Sequence, residues 1–229
     1  MVPDTVELLK NDGKEELYHF LNSTPRAGAE KYCHFIARGA RDADIPWSRG
    51  YILQLYHFHH PWTHRGYLCR KSSADQLAQS FAGAQNLWTS GRKERALYQL
   101  GRMLHLIQDI FVPHHAGVTA RRGHAELERW LAIHWRHYLV EEGGCYIWEE
   151  TFASSDSGQI HAVSSKNPYD WIDKGSHISI RWYERYFQDY EGQNGALFFP
   201  EVASKIIPCT LRHSAGFINR FFTGLALTS

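Results

Sequence analysis

The sequence predicts an all-α fold built as a single multi-helix domain over residues 1–229. Three observations point there. Apolar residues recur at helical spacing through most of the chain. No alternation of apolar and polar residues runs beyond a few positions. Gly and Pro interrupt the periodic segments at intervals that suit helices.

Taken in order, "DTVELLKNDGKEELYHFLN" carries helical spacing broken at Gly13. "GAEKYCHFIARGARDAD" places Tyr32, Phe35 and Ile36 along one stripe, and Pro46 ends that helix or opens a new segment. "SADQLAQSFAGAQNLWTSG" reads as a third helix that stops at Gly91. "RKERALYQLGRMLHLIQDIF" has the clearest stripe, Leu97, Leu100, Leu104 and Ile107, and Pro113 is expected to close it. "GHAELERWLAIHWRHYLVEE" follows and ends at a Gly pair. Residues 143–166 are rich in Gly, Ser and Thr and read as a long loop. "NPYDWIDKGSHISIRWYERYFQDY" starts at Asn167 or Pro168, and a last helix is expected from about Pro208.

Composition excludes several classes. The chain is 43% hydrophobic and 21% charged, ordinary for a globular domain. A net charge of +1 gives no strong field to draw nucleic acid or an acidic membrane. The four cysteines, Cys33, Cys69, Cys145 and Cys209, form no C-x-x-C, which argues against a zinc–thiolate site. The first residues show no basic region followed by an apolar run, so no signal peptide is expected in this chain. No apolar run approaches the roughly 20 residues that cross a bilayer. Histidine is the outlier, with 15 in the chain, and it is the commonest metal ligand and acid/base residue near neutral pH.

The histidines concentrate in "LHLIQDIFVPHHAGVTARRGHAELERW". His105 and Asp109 are four apart and share a helix face. Alone they fit a satisfied core pair as well as a ligand pair. His124 and Glu128 repeat the spacing and alone read as a solvated face. His115 lies at the junction between the two helices, and its neighbour His114 is expected to point elsewhere. Together the pairs and His115 suit zinc bound by imidazole and carboxylate. A second group, His57, His59, His60 and His64 in "YHFHHPWTHRGY", reads mostly as a surface loop with one further ligand to offer. Asp42 and Asp44 in "GARDADIPW" stand at a helix end, either as exposed residues or as a base.

These blocks, "GARDADIP", "HFHHP", "LHLIQDIFVPHHA" and "HAELE" in that order, with "ELLKNDG" before and "NPYDWI" after, resemble the zinc-dependent phospholipase C family over most of the chain. The resemblance implies that His57, His105 and Asp109 hold one zinc and that His115, His124 and Glu128 hold a second. Asp109 would also bridge to a third zinc, and Asp44 matches the aspartate proposed as general base. It further implies hydrolysis of a phospholipid phosphodiester to diacylglycerol and a phosphorylated headgroup, with peripheral membrane contact. Nucleic acid is the less expected substrate. A zinc nuclease, a phospholipase D-type hydrolase and a non-catalytic metal- or membrane-binding relative are the alternatives. Trp47, Trp62 and Tyr67 are candidates for lipid contact.

The sequence departs from the family pattern twice. His59 and His60 replace the usual Tyr-Asp. The family's N-terminal tryptophan and histidine, which complete the third zinc site, have no counterpart before "TVELLKNDG"; His19 lies after the matched stretch. The expectation is a start upstream of Met1, with secretion implied in that case, against a two-zinc variant or an inactive relative.

Overall fold

The computed structural model describes residues 1–45, 56–121, 123–153, 160–192 and 195–227. Pro46 and Trp47 lie outside the described residues. Helices dominate: α1 (Val2–Asn11), α2 (Glu15–Asn22), α3 (Tyr32–Asp42), α4 (Ser73–Thr89), α5 (Lys93–Asp109), α6 (Pro113–Ala116), α7 (His124–His134), α8 (Pro168–Tyr186) and α9 (Gly195–Phe222). No helix among them is long and apolar enough to cross a membrane. The described cysteines are all free, and Cys33 is buried.

Helix α5 packs against α3, α4, α8 and α9. Its expected stripe of Leu97, Leu100, Leu104 and Ile107 is fully buried, and Ala96, Met103 and Leu106 bury its other faces. Along this buried part of the helix, polar residues such as His105 must be paired. The segment ends at Asp109 rather than at Pro113. Val112, held extended at ψ 116° as a residue before proline prefers, starts a separate short turn, α6, in which Pro113 takes the first helical position.

The α3–α5 contact sets the position of the chemistry. An added Cβ at Gly101 would sit 2.0 Å from the Ile36 carbonyl oxygen, and one at Gly39 would sit 2.0 Å from that of Tyr98. The two helices therefore meet backbone to backbone, which only glycine allows. Gly101, His105 and Asp109 follow at four-residue spacing on one face of α5.

Other elements follow their local signals. Ser72 and Asp75 form a reciprocal capping box at the start of α4. The Asn167 side chain accepts from the Tyr169 amide at 3.1 Å to start α8. The Asp12 carboxylate, in "NDG", accepts from the Gly143 and Gly144 amides at 2.8 Å and from the Tyr146 hydroxyl at 2.6 Å, tying the α1–α2 corner to the later loop.

Two expectations are corrected. The stretch 143–166 is not all loop: Glu149–Ala153 (β1) and Ile160–Ser164 (β2) pair as an antiparallel hairpin. Only Val163 of β2 is buried, so the strands carry too few apolar residues to show a two-residue period. The last helix begins at Gly195, well before Pro208, and contains both Pro200 and Pro208. Val202, Ile206, Ile207 and Leu211 continue one buried stripe across Pro208. That burial offsets the helix hydrogen bond proline removes.

The glycine contact gives a paired prediction. Gly101→Ala should destabilise the fold by about 3 kcal/mol, because backbone must move to admit the methyl. Gly83→Ala, in α4 with nothing within 4 Å of its added Cβ, should stabilise by about 0.5–1 kcal/mol. Urea denaturation of the two variants checks the opposite signs.

Candidate metal centre

Four groups from three parts of the chain converge on one point: Asp44 just after α3, His57 ahead of α4, and His105 and Asp109 one turn apart on α5. Asp109 Oδ2 is met by His57 Nδ1 at 2.7 Å and by His105 Nε2 at 3.0 Å. Asp44 Oδ1 lies 3.0 Å from the same His105 nitrogen and 3.9 Å from His57 Nδ1. The two imidazole nitrogens are 3.4 Å apart. Donors at 2.0–2.1 Å from a tetrahedral zinc stand about 3.3 Å from one another. The observed separations straddle that value, and the nitrogen–oxygen donor set is one zinc takes.

A trio of residues adjoins this group. His124 Nε2 lies 2.8 Å from Glu128 Oε1 and 3.1 Å from His115 Nε2, and the His115–Glu128 edge is 3.5 Å. Three donors leave one tetrahedral position open, the arrangement of zinc sites that admit water or substrate. His115 Nδ1 and Asp109 Oδ2 are 3.9 Å apart, so the two groups are neighbours.

Local structure aims each side chain. His115 Nδ1 donates to the His57 carbonyl oxygen at 2.9 Å, which leaves Nε2 with its lone pair toward Glu128 and His124. The His59 amide returns a bond to the His115 carbonyl at 3.1 Å, so residues 57–59 are fastened to α6. Phe58 stacks on the His115 ring at 4.8 Å and 13°. Gly123, at φ 85°, turns the chain so that His124 is the first residue of α7, one turn before Glu128.

The charges are strongly coupled. Burial alone would lower the His105 imidazolium, but the Asp109 carboxylate, then Asp44, outweigh it and push it up to about 10. Burial would raise Asp109, yet His105 and His115 hold it well below the usual carboxylate range. Glu128, despite partial burial, is held down to about 2 by His115 and His124.

All seven residues singled out in the sequence thus fall into two adjoining groups, with Asp44 inside the first group's donor set. The loop histidines correct the surface reading: His57 and His59 are buried, and His60 Nδ1 accepts from the Trp62 amide at 3.2 Å. His114 does not point away. It is fully buried, stacks on His124 at 4.9 Å and 12°, and packs on Phe187, so it props a candidate ligand. Trp62 lies over the His177 ring at 4.5 Å, and Tyr67 packs on Phe58 at 5.2 Å. His19 is exposed on α2. Beside Asp109, Met1, Gln108, Glu128, Trp135 and Thr210 help line a cleft of about 330 Å³. The sequence reading passed over Asp173 and His177 on α8, although their four-residue spacing repeats that of His105 and Asp109.

With His105 pushed up to about 10, its ring carries a proton at pH 7 in the metal-free protein. Zinc binding must displace that proton, so apparent affinity should rise with pH up to that range. Adding zinc to metal-free protein in weakly buffered indicator solution at pH 7 should release protons. Saturation with no acidification would contradict the assignment of these groups as ligands.

No protein-family model matches the chain, and no curated protein matches its sequence. Solved structures do match. The alpha-toxin from Clostridium absonum superposes with a TM-score of 0.73 at 20% identity, over 97% of this chain and 62% of the toxin chain. The alpha-toxin of Clostridium perfringens, from an avian strain, gives a TM-score of 0.71 at 17% identity, over 98% and 62%. The chain therefore spans about 62% of the length of these toxins and, across nearly all of its own length, has their fold.

Proposed function

We propose that the chain is a zinc-dependent phosphodiester hydrolase of the phospholipase C type. It would cleave phospholipids to diacylglycerol and a phosphorylated headgroup. The observation that carries this reading is the pair of adjoining imidazole–carboxylate groups with separations suited to tetrahedral zinc. The sequence resemblance and the fold shared with the alpha-toxins support it.

His57, His105 and Asp109 would hold one ion, and His115, His124 and Glu128 the other. Bound zinc supplies positive charge for the phosphate oxygens and for the charge that builds on them in the transition state. The protein's own contribution follows from exposure. The histidines are buried, whereas the side chains of Asp44 and Glu128 are 61% and 47% exposed. Solvent and substrate therefore reach the site along its carboxylate side. Asp44 stands at that entrance with one oxygen directed at His105. In this role it accepts the proton from the attacking water and orients it toward phosphorus. Ile45, 48% exposed beside it, offers an acyl chain an apolar contact.

Phosphatidylcholine vesicles and single-stranded DNA, offered in parallel, test the substrate class. The expected outcome is diacylglycerol release that stops with a zinc chelator and returns with zinc. Phosphatidic acid as product would make the enzyme D-type, and DNA cleavage alone would make it a nuclease. Asp44→Asn should cut turnover by about 100-fold or more while zinc content stays unchanged. Loss of zinc along with turnover would make Asp44 a ligand instead of a base.

A further inference from the structure

A third polar cluster lies behind the same loop and belongs to neither group above. His59 is fully buried, Asp173 is 2% exposed and His177 is 1% exposed. His59 Nε2 lies 2.8 Å from Asp173 Oδ1, and His64 Nδ1 lies 3.1 Å from that same oxygen. The three donor atoms all fall within 4.8 Å of one another. His177 Nε2 stands 3.7 Å from the other oxygen, Oδ2.

A hydrogen-bonded core network accounts for these groups poorly. Both ring nitrogens of His177, and Nδ1 of His59, are buried with no hydrogen-bond partner. Buried polar atoms in folded proteins are nearly always hydrogen-bonded, so such a cluster calls for another partner. Two imidazole nitrogens crowd one carboxylate oxygen while Oδ2 faces an unpartnered ring. On the far side His64 Nε2 lies 3.0 Å from His161 Nδ1 on β2, the kind of outer contact that fixes the tautomer of a metal-bound imidazole. His64 itself sits at φ 55°, a backbone region uncommon for a non-glycine residue, and that turn places its ring over Asp173.

We propose that His59, His64 and Asp173 form a further binding site for a divalent transition-metal ion, with His177 as the fourth donor. Imidazole with carboxylate suits zinc. The site would staple the 57–64 loop and the β1–β2 hairpin to α8, since His161 lies on β2 and Phe152 of β1 stacks on His177 at 4.4 Å. It is a structural site: His59, Asp173 and His177 are buried, and its loop also carries His57. It stands independently of the phosphodiesterase reading.

Metal counting on the full chain tests it. The full-length protein, Asp173→Asn and His64→Ala are loaded with zinc, desalted and analysed by inductively coupled plasma mass spectrometry. Each variant should hold about one zinc fewer than the parent, and zinc should raise its melting temperature less. His64 has a side chain 28% exposed, so His64→Ala decides the matter if Asp173→Asn does not fold. Adding His64→Ala to a His105→Ala, His124→Ala background separates this site from the others. The background chain should keep about one zinc, and the added change should remove it. A folded His64→Ala chain with the parent's zinc content, or a background chain holding no zinc, would overturn the proposal.

Discussion

The carboxylate of Asp109 is the group on which the arrangement depends. It sits at the C-terminal end of α5, where the helix dipole is negative and an anion is disfavoured. Its side chain is only 15% exposed, so solvent offers little relief. Positive charge must therefore be brought to it. His57 and His105 both reach the same oxygen, and His115 stands within 3.9 Å. In the metal-free protein the His105 imidazolium, pushed up to about 10, meets that need. A metal ion meets it with the same donors and no change of charge sign. A buried ion set of this kind is weak as a stabilising device, and its presence in the core is better understood as chemistry retained at some cost to stability.

The fold supplies the precision that such a centre requires. The backbone contact between α3 and α5 through Gly39 and Gly101 fixes where α3 ends, and so where Asp44 meets His105. The turn forced by Val112 and Pro113 reverses the chain within a few residues of Asp109, and α6 delivers His115 beside it. Mutual backbone and side-chain bonds between residues 57–59 and His115 lock the loop to that turn. His114, stacked on His124, supports the second group from behind. The candidate ligand atoms thus come from four segments whose relative positions are each set by packing or hydrogen bonds.

Much of this was legible in the residues. Four-residue spacing puts His105 with Asp109, and His124 with Glu128, on shared helix faces, and the α5 stripe marks that helix as buried. What spacing cannot convey is which segments fold back on which. His59 and Asp173 are far apart in sequence yet 2.8 Å apart in space, so a loop rich in histidine read as surface. Of the adjacent pair, His115 was expected to face inward and His114 elsewhere, yet α6 is so short and so enclosed that both are buried. The hairpin escaped notice because its outward residues carry no apolar alternation. The early start of α9 escaped because proline is a strong local stop that a long buried stripe overrides.

The most direct measurement is anomalous X-ray diffraction from crystals of the zinc-loaded protein, recorded on both sides of the zinc absorption edge. The expected result is one anomalous peak bounded by His57, His105 and Asp109, with Asp44 beside it, and a second bounded by His115, His124 and Glu128. Ordered side chains at both places with no zinc signal between them would contradict the account of these groups as metal ligands.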